Sequence, residues 1–241
     1  MLSKEQSGNI FDRIRRLSSA DEVEAIFTSA RFALTRFANS AIHQNVEEEN
    51  SVVSIRTNFA GKTARAAANQ FDDDSLRRAV TASEKLARVQ APDPDLLPMP
   101  DRQEVQGPRG VGAANPSRFF EATALTTPAE RVEVVRGMVA TADRNKLTAA
   151  GIYSSSESRE GIFNSRGVAN WHEQTLAEVS VSMLGDDSSG WQKSNSTDVS
   201  VLDLREGEFA FTDSEGKTRT GRQKLFPIVT ARAGKLFYPA A

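Results

Sequence analysis

The spacing of hydrophobic positions changes several times along the chain, and each change predicts an element. Ile10, Ile14 and Leu17 fall three and four residues apart with charged residues between them, which predicts a helix over 5–18. From Val23 to Asn69 the period shortens. Phe32 and Leu34 share one parity, and Ser51-Val52-Val53-Ser54-Ile55-Arg56 is rich in β-branched residues. Three or four strands are expected here, with turns near Asn39-Ser40, near Glu48-Glu49-Asn50 and at Ala60-Gly61-Lys62. Helical spacing returns in Leu76, Ala79, Val80, Ser83, Leu86, Ala87 and Gln90. Asp72-Asp73-Asp74 offers N-caps and negative charge at the positive end of that helix dipole. Pro92 ends it, because the ring lacks a donor and clashes with the preceding turn.

A further helix is expected from about Pro128 to Arg144. Thr127 caps it, Glu130 lies in its first turn, and Val132, Val135, Val139 and Ala142 form its apolar stripe. Strands are expected over 149–154, 161–164 and 168–184. In the last, Thr175, Ala177, Val179, Val181 and Met183 share one face, the clearest alternation in the chain. Asn164-Ser165-Arg166-Gly167 has hairpin-turn composition, and Asp186-Asp187-Ser188-Ser189-Gly190 reads as another turn. The remainder predicts short strands at 199–204, around Phe209 and Phe211, at 225–229 and at 236–238, with turns at 213–216 and 233–235. Such a meander carries little apolar mass and needs a partner surface.

Composition interrupts this pattern once. Residues 91–116 hold six of the nine prolines, with Gly107, Gly110 and Gly112 among them. A packed helix or central strand is excluded there, leaving a wrapping arm or a hinge. The stretches 5–90 and 117–190 each carry a helix and several strands, in different order and without a residue-level repeat.

Charge and rare residues narrow the chemistry. Over 241 residues, 30 Lys and Arg face 32 Asp and Glu, a net charge of −2, so no basic excess points to nucleic acid or a membrane surface. The chain has no Cys, which excludes a disulfide framework, a Cys-type zinc site and a thiol nucleophile. Its two His leave no three-His metal site. Mean hydropathy is −0.44, and no apolar run approaches the ~20 residues of a membrane span. Met1 to Arg16 is polar where a signal peptide is apolar, so a cytoplasmic location is expected.

Each candidate motif fails a physical requirement. His172-Glu173 begins like a zinc-peptidase helix, but no second His follows one turn later and the segment reads as a strand. Ala60-Gly61-Lys62-Thr63 ends like a phosphate loop, yet Arg56 stands where the first Gly is needed. The glycines at 107–112 lack a preceding strand and the dinucleotide-loop order. Asp72 to Asp74 read as a helix cap and Glu47 to Glu49 as a solvated turn, rather than as metal ligands. Arg31, Phe32, Arg36, Phe37, Arg56 and Phe59 mix basic and aromatic residues as base-stacking surfaces do. Buried Phe alternating with exposed Arg explains them more simply. No catalytic, cofactor-binding or metal-ligating residue is therefore assigned.

The order of several short pieces resembles a known family. Leu34-Thr35-Arg36-Phe37-Ala38-Asn39-Ser40-Ala41-Ile42-His43-Gln44-Asn45 is similar to a motif of the TldD/PmbA metallopeptidases, also called modulators of DNA gyrase. The likeness continues through Val53-Ser54-Ile55-Arg56, Gly61, Ala66 to Asn69, the acidic-capped helix and Pro92-Asp93-Pro94. It extends to Ala149-Ala150-Gly151, Asn164 to Gly167, Thr175 and Ser188-Ser189-Gly190-Trp191. The resemblance implies an α+β N-terminal domain over residues 1–195, with the Pro-rich arm 91–116 inside it.

It also implies a second domain, holding a His-Glu-x-x-x-His zinc motif and, in the TldD branch, a functional Cys. It implies dimers around an internal cavity and cleavage of unfolded or leader-bearing peptides. The zinc motif and the Cys are absent from this sequence, so no zinc ligand carries over. The expectation is a substrate-cavity or dimerisation domain, inactive alone, in a homodimer or in a heterodimer with a TldD/PmbA-family subunit. One alternative is half of a zinc peptidase completed by a partner chain.

Residues 196–241 form an expected short all-β tail. Asp198 to Leu204, Gly207 to Asp213 and Thr230 to Lys235 resemble the last strands of dihydroorotase-like amidohydrolases. That resemblance implies a rearranged gene joined between about Trp191 and Thr197. It adds a third reading, an inactive amidohydrolase-related remnant.

Overall fold

The computed structural model describes residues 1–102, 117–186, 189–201, 206–212, 218–224, 230–232 and 235–237, the segments beyond 205 by their backbone. The architecture is α+β. In chain order the elements are α1 (Lys4–Leu17), β1 (Glu22–Ala38), β2 (Ala41–Phe59), β3 (Lys62–Ala68) and α2 (Asp73–Val89). They continue with α3 (Glu121–Ala124), α4 (Pro128–Arg144), β4 (Thr148–Asn164), β5 (Ala169–Leu184) and β6 (Ser189–Ser196). A 3-10 turn at Val199–Val201 precedes β7 (Glu206–Thr212), β8 (Thr218–Lys224), β9 (Thr230–Arg232) and β10 (Lys235–Phe237). Six strands make one sheet in the order β3-β2-β1-β4-β5-β6, and β7-β8 and β9-β10 are separate antiparallel pairs.

Two compact units divide the chain. One holds Met1–Arg31, Glu49–Ser117 and Ser158–Gln174; the other holds Phe32–Glu48, Arg118–Glu157 and Thr175–Ala241. Strands β1, β2, β4 and β5 each run from one unit into the other.

In the first unit, α1 and α2 cover a core of Val23, Ala25, Phe27, Val53, Ile55 and Phe163. Their own Ile10, Phe11, Ile14, Leu76, Ala79 and Val80 complete it. Phe163 meets Phe27 edge-on with centroids 5.5 Å apart. Buried hydroxyls are paired too, Thr57 with Ser83 at 2.8 Å. A reciprocal cap opens α1: the Gln6 N–H donates to Ser3 Oγ, and the Ser3 N–H donates to Gln6 Oε1.

The Pro-rich stretch begins as a wrapping arm. The Asp93 N–H donates to the Gly61 carbonyl, Asn164 Nδ2 donates to the Pro100 carbonyl, and Arg166 donates to the Met99 carbonyl at 2.6 Å. Met99 is buried. Residues 103–116 of that stretch lie outside the described residues.

In the second unit, Val135, Met138 and Ala142 of α4 pack on Phe37, Ala149, Tyr153, Val179, Val181 and Met183. Thr127 and Glu130 form a capping box with Pro128 at the first helical position. Residues just past β6 are tied into this unit. Thr123 Oγ1 and Thr175 Oγ1 both donate to the Thr197 carbonyl, and the Val199 N–H donates to Thr123 Oγ1. A truncation after Asn195 removes these three bonds.

Several expectations are corrected. No turn breaks the chain at Glu48-Glu49-Asn50; β2 runs through it, because a run of glutamates is polar without offering the φ > 0 that a tight turn needs. Segments 149–154 and 161–164 are one strand, β4. The link between them is polar yet partly buried at Ser154, Ser155 and Glu157, which hid it. The buried face of α4 is Arg131, Val135, Met138, Thr141 and Ala142, while Val132 and Val139 are half-buried. Leu86 of α2 is exposed, and Gln90 is its C-cap.

Val199–Val201 is a 3-10 turn rather than a strand, and Thr218–Lys224 is a strand that its polar composition did not announce. The expected features at 187–188, 202–204, 213–216, 225–229, 233–234 and 238 lie outside the described residues.

Two exposed caps set a pH dependence. The Ser75 hydroxyl and N–H hold the Asp72 carboxyl below the ordinary carboxylate range, and the Thr127 N–H and hydroxyl do the same for Glu130. A depressed folded pKa contributes stability above the unfolded value, near pH 4, and loses it as pH falls through the folded one. The urea midpoint should therefore drop below about pH 4. A D72N/E130Q variant should show a shallower drop; an unchanged slope would mean that the caps do not contribute.

Candidate functional site

Both histidines are exposed, His43 on β2 and His172 on β5. Among the described residues no three His, Asp or Glu side chains form a metal-binding group. The Ala60-Gly61 pair is a two-residue hairpin turn with φ of 48° and 83°, so it cradles no phosphate. Asp72 caps α2 and Asp73 pairs with Arg13. Of the basic and aromatic strand residues, Phe32 and Arg36 are exposed, so buried Phe does not alternate with exposed Arg throughout, and the others are engaged within the protein. Phe37 is buried, Arg56 and Arg65 pair with the buried Glu24 at 3.3 and 2.6 Å, and Arg88 lies 3.8 Å over the Phe59 ring.

The 34–45 motif forms the tip of the β1–β2 hairpin. Asn39 and Ser40 take φ of 50° and 57°, which suits the right-handed twist of the strands they join. The Ser40 N–H donates to the Ala149 carbonyl, and the Ala149 N–H donates to Ser40 Oγ at 3.1 Å. The tip is thus pinned to the start of β4.

Behind the motif sits Arg131, fully buried on α4. Its Nε donates to Thr35 Oγ1 at 3.4 Å, Nη1 to the Thr126 carbonyl at 3.0 Å, and Nη2 to Asn45 Oδ1 at 3.2 Å. Burial lowers the guanidinium pKa, with Glu47, Tyr153 and Glu130 opposing. Burial raises the Tyr153 phenol, as does Glu130. Sequence reasoning missed Arg131. Its signal was spacing: with Val135, Met138 and Ala142 it stands at i, i+4, i+7 and i+11 of one helix face.

In front of Asn45 the strand is bare. β3 pairs with β2 only from Val53 to Phe59. Ala41 to Glu48 therefore has no strand on its outer edge among the described residues. It is also exposed on both faces, apart from half-buried Val46. The arrangement offers backbone donors and acceptors on a strand held from behind by Arg131.

A second concavity, of about 320 Å³, lies between β3 and α2 in the first unit, floored by Ala66, Ala68, Ala79 and Ala82. Its one cation, Arg78, already donates to Ser75 Oγ at 2.8 Å.

Solved structures share this fold. TldE from Thermococcus kodakarensis matches with a TM-score of 0.67 at 15% identity, over 80% of this chain and 43% of that one. A proposed modulator of DNA gyrase from Bacteroides thetaiotaomicron matches with a TM-score of 0.66 at 14% identity, over 84% of this chain and 47% of that one. A similarly described protein from Thermotoga maritima gives a TM-score of 0.67 at 13% identity, over 82% and 45%. The chain thus spans less than half the length of each. No protein-family model matches the sequence, and no curated protein matches it. At these identities the likeness is one of fold.

Proposed function

We propose that this chain acts as a TldD/PmbA-type N-terminal domain, contributing assembly and peptide-handling surface to a cytoplasmic complex while zinc-peptidase chemistry is supplied elsewhere in it. The observation that carries the reading is the β2 edge from Ala41 to Glu48, which no strand among the described residues pairs, whose Ala41 to Asn45 belong to the motif and which Arg131 braces at Asn45. The shared fold with TldE and gyrase-modulator proteins supports it. The partner is a second subunit of that kind, in a homodimer or a heterodimer, and the substrate is a peptide. No helix among the described residues is long and apolar enough to cross a membrane.

The test measures zinc content and casein or peptide cleavage on the purified chain, alone and mixed with a full-length TldD/PmbA-family subunit. Little zinc, no cleavage alone and co-purification with the subunit are expected. Stoichiometric zinc with cleavage by the chain alone would overturn the reading. Cleavage that appears only on mixing, and exceeds that of the subunit alone, would make the chain one half of a completed peptidase.

A further inference from the structure

We infer that the concavity between β3 and α2 is a binding site for a short branched aliphatic carboxylate, either a free acid or the carboxyl end of a chain. This goes beyond the assembly reading and rests on other residues.

Three observations carry it. The first is shape. A cavity of about 320 Å³ falls at the small end of the sites that hold small molecules. Ala66, Ala67 and Ala68 on the β3 side and Ala79 and Ala82 on the α2 side line it. None of these five side chains is longer than a methyl group, so they leave room that a Val or Leu would fill. A methyl-lined hollow of this kind rewards the removal of a small hydrocarbon group from water.

The second is a guanidinium held in place without an anion. Arg78 Nη2 donates to Ser75 Oγ at 2.8 Å, and Ser75 is only 7% exposed. The Ser75 hydroxyl donates onward to Gln70 Oε1 at 3.4 Å. In the same unit Arg13, Arg56 and Arg65 stand 2.5, 3.3 and 2.6 Å from a carboxylate. Arg78 makes no such pair among the described residues; its side-chain bond is the one to Ser75. Asp72 is near enough to feel its charge, but Asp72 Oδ1 accepts the Ser75 N–H as the cap of α2. A guanidinium has five N–H donors, so one engaged donor leaves a fork that takes a carboxylate through two parallel bonds. Being already fixed by a buried hydroxyl, it loses less freedom on binding.

The third is the division of the lining. Asn69, Gln70, Ser75 and Arg78 supply all of its polar side chains, and no Asp or Glu stands among the lining residues to repel an anion. An alanine floor and a cationic, amide-bearing rim describe a ligand with the same two ends. Phosphate would leave the floor unused. A neutral hydrocarbon would leave Arg78 unpaired.

A two-dimensional amide NMR titration of the nitrogen-labelled full chain with 3-methylbutanoate tests this. The controls are 3-methylbutanol, acetate and inorganic phosphate. The branched acid should bind with a Kd of about 1 mM or lower and shift the amides of Ala66, Ala68, Arg78 and Ala82. Arg78→Gln should weaken it at least about tenfold. Ala82→Leu should abolish it by filling the hollow, at an exposed helix position where Leu is well tolerated. Circular-dichroism melts of both variants matching the parent keep a folding defect from imitating the result. Acetyl-alanyl-valine and its C-terminal amide separate the sources. Binding of the peptide acid but not the amide supports a chain end as the occupant, and binding of 3-methylbutanoate alone supports a free acid.

Equal binding of 3-methylbutanol would overturn the role of Arg78. Equal binding of acetate or phosphate would overturn the role of the alanine floor. Shifts that persist unchanged in both Arg78→Gln and Ala82→Leu would place the binding elsewhere. No shifts up to about 10 mM would overturn the proposal whole. The titration uses neither zinc nor a partner subunit, so its failure leaves the assembly reading standing.

Discussion

Gly151→Ala is expected to be the most damaging single-atom-group change in the second unit. An added Cβ at this position of β4 would lie 2.1 Å from the Ser180 carbonyl oxygen, 2.8 Å from Phe37 Cζ and 3.0 Å from Val181 Cα. Two of these three atoms belong to the β5 backbone, so rotating a side chain does not relieve the clash. β4 and β5 must part, and the separation opens the core of Phe37, Tyr153, Val179 and Val181. Overpacking of an ordinary core costs about 1–3 kcal/mol. With a sheet ladder also disturbed, a loss of at least ~3 kcal/mol is expected, a large share of the ~5–15 kcal/mol that holds a domain folded. That corresponds to a fall in Tm of roughly 6–12 °C for a chain of this size.

The control is Gly161→Ala on the same strand. Its Cβ would meet Trp171 Cε3 at 2.7 Å and Cζ3 at 2.8 Å, atoms of a half-buried ring that can swing aside. About 1 kcal/mol is expected there. Thermal melts of the two variants should differ clearly, and equal losses would refute the backbone argument.

The contrast between these glycines shows where sequence reading stops. Local chemistry was readable: Asn39-Ser40, Ala60-Gly61 and Asn164-Ser165-Arg166-Gly167 turn where their conformational tolerance allows, and Asp72 and Thr127 cap the helices that follow them. The alternation of Thr175 to Met183 placed one face of β5 correctly, because a half-buried strand writes its period directly into the residues. What was not readable depends on partners distant in sequence. Gly151 looks like any strand glycine until Ser180 and Phe37 are brought beside it.

The β2 segment gave no strand signal around Glu47 to Asn50, because a strand solvated on both faces has no buried parity to display. Arg131 carries no burial signal of its own, because an Arg is buried only when the fold supplies acceptors. Two of them come from 86 and 96 residues away. The candidate edge therefore became visible only when the pairing limits of β3 were known.

Arg131 supplies the second large effect. Arg131→Ala is expected to cost about 3–5 kcal/mol, for two separable reasons. It leaves a cavity under α4 where a large side chain with no exposed surface was packed. It also strands the Thr126 carbonyl and strips Asn45 Oδ1 of its charged donor. Arg131→Met separates the two. The thioether fills most of the volume and removes the cost of burying a charge, so about 1–2 kcal/mol is expected, chiefly from the orphaned acceptors.

Arg131→Lys keeps the charge buried, but an ammonium on one stem does not reach acceptors that diverge to Thr35, Thr126 and Asn45. It should fall between the other two. Urea denaturation then orders the variants Met, Lys, Ala by increasing loss. A Met variant as unstable as the Ala variant would show that the charge, not the volume, is what the fold needs. An Ala variant costing under ~1 kcal/mol would remove Arg131 as an anchor altogether.

The same series reports on the edge. Asn45 is the strand residue that Arg131 holds, so amide exchange across Ala41 to Glu48 should quicken in Arg131→Met even though the domain stays folded. Unchanged exchange there would show that Asn45 is held by contacts other than Arg131.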